Sequence, residues 1–126
     1  MIRIVCMDDN PASLRGLVKN VRKSTSSACD VCGFEDARSA LESVKNKGCD
    51  VLFSEIEFNG SPDGLAFAKR IKELCPQVNI VFITVCSANE YAHEVLDLRP
   101  SGYLTKPATR EQIAAELKAL RYPLSV

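Results

Sequence analysis

Two periods of apolar residues alternate along the chain. Short runs rich in β-branched residues, IRIVCM at Ile2–Met7, VLFS at Val51–Ser54, NIVFIT at Asn79–Thr84 and GYLT at Gly102–Thr105, have the length and composition of strands, and a less apolar run at 30–34 reads as another. Between them, apolar residues recur every three to four positions. Leu14, Leu17, Val18 and Val21 predict a helix over 11–23 that begins at Pro11. Ala37, Ala40, Leu41 and Val44 predict one capped by Asp36 and ended by Gly48. Leu65, Ala68, Ile71 and Leu74, with the stem of Lys72, predict a third over 63–74 that Pro76 keeps from extending. Tyr91, Ala92, Val95 and Leu96 predict a short helix over 88–97. Ile113, Leu117 and Leu120 predict a last one opened by Thr109, with Gln112 placed three residues on as in a capping box. Residues 1–121 then make one domain, and 122–126 read as a tail or the start of a linker to an output domain absent from the chain.

Strand followed by helix, five times over, is the pattern of a (βα)5 α/β domain. Its sheet is five-stranded, parallel and doubly wound, with helices on both faces and right-handed crossovers. NIVFIT is almost wholly apolar, as a strand covered on both faces is. In such a sheet ligands gather outside the C-terminal ends of the strands. The residues placed there are Asp8 and Asp9 after strand one, Glu55 after strand three, Thr84 ending strand four, and Lys106-Pro107 after strand five. The segment around Glu55 stands out. A buried run delivers one acid, then turns through Asn59, Gly60, Ser61 and Pro62 before Asp63-Gly64 open a helix.

Composition narrows the function class. The chain is 46% hydrophobic and 25% charged, enough for a core. Its 16 basic and 16 acidic side chains cancel, which gives no reason to expect contact of this segment with nucleic acid or a membrane surface. No apolar run approaches the ~20 residues that span a bilayer, and MIRIVCMDDN lacks the signal-peptide pattern, so the expected location is cytoplasmic. The six cysteines read as reduced. Cys6, Cys49, Cys75 and Cys86 lie in or beside apolar segments. Cys29 and Cys32 form a C-x-x-C inside a strand, where positions three apart point to opposite faces, and no second pair completes a metal site.

Taken singly, the rim residues have ordinary readings: Asp8-Asp9-Asn10 as a helix cap, Thr84 as a strand end, Lys106 as a solvent-facing cation. Taken together they resemble the receiver domain of bacterial two-component response regulators. The resemblance covers essentially the whole chain and rests on the set and its order: paired acids, an acid followed by P-D-G, Thr, then Lys-Pro. It implies a flavodoxin-like sheet of order 2-1-3-4-5. It also implies phosphoryl transfer from a sensor histidine kinase to the acid after strand three. A carboxylate attacks an anionic group poorly, and Mg²⁺, a hard cation held by oxygen ligands, offsets the repulsion. By resemblance, Asp8, Asp9, the carboxylate at 55 and the backbone carbonyl of Glu57 hold that metal, with Asp9 favoured over Asp8 as the direct ligand. Lys106 and the Thr84 hydroxyl take phosphoryl oxygens, Pro107 follows a cis peptide bond, and Tyr103 is the aromatic switch that answers Thr84. The implied output surface is the 4-5-5 face, made of the helix at 88–97, strand five and the last helix. A homodimer through that face and a tethered output domain are the further partners implied. The ending Leu120-Arg121-Tyr122-Pro123 resembles the junction to a LytTR-type DNA-binding domain, so transcription is the expected output.

The chain departs from the family where the chemistry is sharpest. The family acceptor is aspartate, and position 55 is glutamate, one methylene longer. In-line attack needs tight geometry, and a shift of ~1 Å can cost about a hundredfold. Three readings stay open. Glu55 reaches Lys106 and Thr84 itself and imitates a phosphorylated aspartate; or the domain is a pseudo-receiver governed by protein contacts; or Glu55 is an introduced substitution in an ordinary receiver. Phosphorylation is expected to be poor or absent, and Mg²⁺ binding weakened. The loop departs as well, with Glu57-Phe58-Asn59 where family members often have Met-Pro. An enzymatic alternative, a small Mg²⁺-dependent phosphatase of the haloacid-dehalogenase type, lacks its D-x-D after strand one. A flavodoxin would need a phosphate cradle where Asp-Asp-Asn-Pro stands.

Overall fold

The computed structural model describes residues 1–85 and 90–124. Strands β1 (Ile2–Met7), β2 (Cys29–Phe34), β3 (Val51–Ser54), β4 (Asn79–Thr84) and β5 (Gly102–Thr105) pair in parallel in the order β2-β1-β3-β4-β5. Helices α1 (Pro11–Lys23), α2 (Ala37–Lys47), α3 (Asp63–Leu74), α4 (Ala92–Asp97) and α5 (Arg110–Lys118) follow the strands in turn. This is the doubly wound (βα)5 sheet that the alternating periods predict, in the flavodoxin-like order that the family resemblance implies.

Local chemistry sets the helix ends. The Asn10 side chain accepts from Ser13 N at 3.0 Å and that of Asp36 from Ser39 N at 2.8 Å, each relieving an orphan donor of a first turn. Thr109 and Gln112 form a reciprocal capping box. Gly48, at φ 78°, ends α2 in a conformation that glycine adopts without strain. Arg3, buried in β1, spends its guanidinium on carbonyls at this same C-terminal end of α2, reaching Gly48 O at 2.8 Å and Ser43 O at 3.3 Å, beside Asp30.

Alternate strand residues face two cores. Ile4, Cys6, Val51, Phe53, Val81 and Ile83 pack against Leu14, Leu17 and Val21 of α1 and Ile113 of α5. Val5, Met7, Leu52, Ile80 and Phe82 pack against α2, α3 and α4. The central strands β3 and β4 are buried along their whole length, which is why their sequences are apolar without alternation. Cys29 lies with the first core, whereas Cys32 faces Arg3 on the other side of the sheet, so the C-x-x-C thiols are divided by the strand. Among the described residues the cysteines are free thiols. Burial pushes the Cys6 thiol up, and burial followed by the nearby Cys75 pushes Cys49 up to about 12, so neither has thiolate character. Cys86 lies outside the described residues.

Three helix expectations need correction. The helix expected over 88–97 is observed only over Ala92–Asp97; 88 and 89 lie outside the described residues, and Tyr91 is the non-helical N-cap, its hydroxyl drawn to Glu57. Leu96 is 71% exposed, because Val95 and Leu98 supply the inward contacts of so short a helix. Leu74, in the last turn of α3, is 40% exposed, and the inward stripe stops at Ile71.

The segment after α5 is fastened to the opposite end of the sheet from the rim acids. Asn79, 1% exposed at the start of β4, meets both backbone groups of Tyr122: its Oδ1 accepts from Tyr122 N at 2.7 Å and its Nδ2 donates to Tyr122 O at 2.8 Å. Ser101 Oγ donates to the same Oδ1 at 3.0 Å and accepts from Arg121 N. Leu120 and Leu124 then rest on the α1–α5 core. Asn79→Ala leaves these groups unpaired, so a stability loss of about 1–3 kcal/mol is expected. In amide exchange, Tyr122 should lose protection while the β1 and β3 amides keep theirs.

Candidate functional site

The sheet order brings the ends of β1, β3 and β5 to one rim, and a single ammonium joins them. Lys106 Nζ lies 2.7 Å from Asp8 Oδ2 and 2.8 Å from Glu55 Oε2. Both carboxylates are buried, Asp8 at 3% and Glu55 at 5% exposure, and the lysine side chain is 20% exposed. The remaining oxygens are also engaged. Asp8 Oδ1 accepts from Asn10 N at 2.9 Å. Glu55 Oε1 accepts from the backbone N–H of Ile56 at 2.8 Å and of Glu57 at 3.3 Å. Here the extra methylene has its effect: the Glu55 carboxylate folds back over its own loop while still meeting Lys106. Partial burial pulls the Lys106 pKa down, but hydrogen bonds and charge from Asp8 and Glu55 outweigh it, and the net shift is upward.

The loop after β3 is a rigid support. Asn59 and Gly60 both have positive φ, 54° and 78°, as the two central residues of a type I′ turn require. Phe58 and Ser61 close it with reciprocal backbone hydrogen bonds of 2.9 and 3.1 Å. Phe58 is buried against Phe67, their ring centroids 6.2 Å apart. Asp9 Oδ2 accepts from Asn59 N at 2.9 Å, so this acid braces the turn. Gly64, in the first turn of α3, lets the helix approach closely: a Cβ there would stand 2.1 Å from Glu55 O and 2.4 Å from Ile56 O.

The other expected site residues fall at the same rim. Thr84 ends β4 fully buried, and its carbonyl accepts from Lys106 N at 2.9 Å. The Lys106–Pro107 peptide bond is cis. Tyr103 is half-buried in β5, paired with Phe82 and resting on the α2–α4 side of the core. The Glu57 side chain accepts from the Tyr91 hydroxyl at 2.6 Å. Sequence reasoning missed the Asn59 N–H as the partner of Asp9, and Tyr91 as the partner of Glu57. The Asn59-Gly60 pair is a turn signal that points to the first; nothing in the periodicity points to the second.

Oxygen donors suit Mg²⁺ by type. As arranged they are turned to other partners: among the described residues no three acidic, histidine or cysteine side chains converge as a metal cage. Asp8 and Glu55 turn toward Lys106, and Asp9 turns toward the loop. The lysine ammonium stands where two of the acids converge.

Comparison with known proteins identifies the family and the fold. The family model for the response regulator receiver domain matches residues 4–118, and the chain belongs to that family. The DNA-binding transcriptional regulator NtrC of Escherichia coli (strain K12) is 30% identical over 112 residues, which is 89% of this chain and 23% of that protein. The uncharacterized transcriptional regulatory protein YesN of Bacillus subtilis (strain 168) is 23% identical over 120 residues, 95% of this chain and 32% of that protein. The chain thus spans about a quarter to a third of these relatives. The crystallized chemotaxis protein CheY4 of Vibrio cholerae superposes with a TM-score of 0.80 at 20% identity, covering 94% of this chain and 97% of that one, which supports the fold. Receivers are signalling modules rather than enzymes, so the phosphatase alternative falls away. As a family they bind Mg²⁺ and work with histidine kinases and output domains.

Two substitutions probe the site. Lys106→Met leaves two adjacent buried carboxylates without their cation. The expected loss is about 2–3 kcal/mol in urea unfolding at neutral pH, below the figure for a fully buried pair because the lysine is partly exposed. Since the folded-state pKa of Lys106 lies above its unfolded value, its contribution is whole below about 10.4 and fades as pH rises through the folded value. The parent should therefore weaken in alkali by an increment that Lys106→Met lacks. Gly64→Ala forces α3 off the Glu55 and Ile56 carbonyls, and a lower urea midpoint worth about 1–3 kcal/mol is expected.

Proposed function

We propose that this receiver controls an output, with transcription as that output, from a state set by the fixed charge of Glu55 rather than by phosphoryl transfer. One observation carries the reading: Lys106 bridges Asp8 and Glu55 while the other Glu55 oxygen takes the amides of Ile56 and Glu57. Both oxygens that would serve as nucleophile are engaged, and the lysine reserved by resemblance for a phosphoryl oxygen is already neutralised. A glutamate brings one charge where a phosphoryl group brings ~1.5 to 2, so the mimicry is partial. Mg²⁺ binds weakly here, because it competes with the Lys106 ammonium for Asp8 and Glu55.

Readout through the 4-5-5 face is supported by the exposed Leu96 on α4 and the half-buried Tyr103 on β5. A homodimer would cover that face. The similarity to NtrC, a DNA-binding transcriptional regulator, and to the transcriptional regulatory protein YesN supports a tethered, DNA-binding output domain. The balanced charge assigns DNA contact to such a domain and not to this one. A sensor histidine kinase is the proposed upstream partner and the cytoplasm the proposed location. Among the described residues no helix is long and apolar enough to cross a membrane.

The comparison that tests this is the parent against Glu55→Asp, each incubated with acetyl phosphate and Mg²⁺ and read by intact mass. Glu55→Asp should gain one phosphoryl group, and the parent should gain it at least about a hundredfold more slowly. Stable, Mg²⁺-dependent phosphorylation of parent Glu55 would sink the proposal. If neither protein responds, the phosphorylation-independent pseudo-receiver takes its place.

A further inference from the structure

Glu57 faces two parts of the molecule at once. Its backbone N–H donates to Glu55 Oε1 at 3.3 Å, and its carboxylate accepts from the Tyr91 hydroxyl at 2.6 Å across 34 positions of sequence. Tyr91 is the N-cap residue of α4. Its carbonyl accepts from Val95 N at 2.9 Å, and its ring rests on the core beneath that helix. Among the described residues no side chain makes a capping hydrogen bond at the start of α4. The start of α4 is therefore tied to the β3–α3 loop by a charge-assisted hydrogen bond, a stronger class than a neutral one. The loop end of the tie is braced by the Asn59-Gly60 turn, the burial of Phe58 and the Asp9 hydrogen bond.

We propose that Glu57 is a positioning residue that transmits the disposition of the Glu55 carboxylate to helix α4 through Tyr91. The coupling is separate from the Thr84–Tyr103 route that the family resemblance implies. It rests on the reading that Glu55 sets the state of the domain, and it names the path by which that state reaches the output face. When Oε1 holds the amides of Ile56 and Glu57, the turn is drawn onto the site and Glu57 presents its carboxylate to Tyr91. When that acceptor is withdrawn, the turn relaxes and α4 loses its anchor.

Amide exchange followed by NMR on the full chain tests this with Tyr91→Phe, Glu57→Gln, Glu57→Ala and Glu55→Ala. Tyr91→Phe and Glu57→Ala should speed exchange at Val95 and Leu98 by roughly tenfold, as loss of a hydrogen bond to a charged group implies. Glu57→Gln, which keeps an acceptor oxygen, should restore most of the protection. Glu55→Ala should speed the same amides in the parent and add little in a Tyr91→Phe background, the mark of two residues on one path. A merely structural role would raise exchange in β1 and β3 too, and those amides should stay protected. Unchanged α4 exchange in Tyr91→Phe overturns the tie itself. Strict additivity of Glu55→Ala and Tyr91→Phe overturns its coupling to the site. Either result leaves the Glu55→Asp phosphorylation comparison standing, and the exchange pattern is read on the unphosphorylated chain, whatever its reactivity toward acetyl phosphate, so the two proposals fail separately.

Discussion

The Lys106 ammonium between Asp8 and Glu55 is the interaction on which the rim depends. Two carboxylates buried side by side repel, and each has lost most of its water. Either cost alone would push the strand ends apart. One cation within hydrogen-bond distance of both removes the conflict, and its remaining exposure spares it the full desolvation penalty of a buried ion. The geometry is demanding. β5 is an edge strand and β1 lies three strand spacings of ~4.8 Å away, so the contact needs the twist of the sheet and the whole lysine stem. Ninety-eight positions of sequence separate Asp8 from Lys106. Their meeting fixes the ends of β1, β3 and β5 relative to each other, and the loops that leave those strands inherit that placement.

Seen from this ion pair, glutamate at 55 is a change in what the carboxylate can reach. The carboxylate stands one methylene further from the backbone than an aspartate's would, and both of its oxygens find partners. Glutamate spans the ammonium and the loop amides: one oxygen meets Lys106 and the other takes the amides of Ile56 and Glu57. The same span explains the disposition of Asp9. The turn held under Glu55 presents the Asn59 N–H outward, and Asp9 closes on it. Asp8 and Asp9, acids with the donor type that suits a metal, here pair with Lys106 and with the Asn59 N–H.

The fold was legible because its signals are local and repeated. Apolar runs gave β3 and β4, helical spacing gave α1 to α3, and the caps at Asn10, Asp36 and Thr109 act over three residues. The composition of the rim was legible through the order of its residues. What escaped were pairings between a side chain and a distant, structureless stretch: Asn79 with the backbone of Tyr122, Asp9 with Asn59 N, Tyr91 with Glu57. None leaves a period in the sequence. Tyr91 shows how a periodic signal can mislead. Its spacing from Val95 is helical, yet its hydroxyl has a stronger claim on a carboxylate outside the helix, and the helix begins after it.

These pairings divide the molecule into a part that cannot answer the site and a part that can. β3 and β4 are buried on both faces, and β4 is held at its start by Asn79 and at its end by the Thr84 carbonyl, so the sheet has little freedom. Close-packed cores of this kind deform in discrete steps rather than gradually. Any influence of residue 55 on a distant surface must therefore pass through elements attached to the rim by few contacts. α4, six residues long with its start tied to the β3–α3 loop, is such an element, and it lies on the face through which the domain is proposed to act.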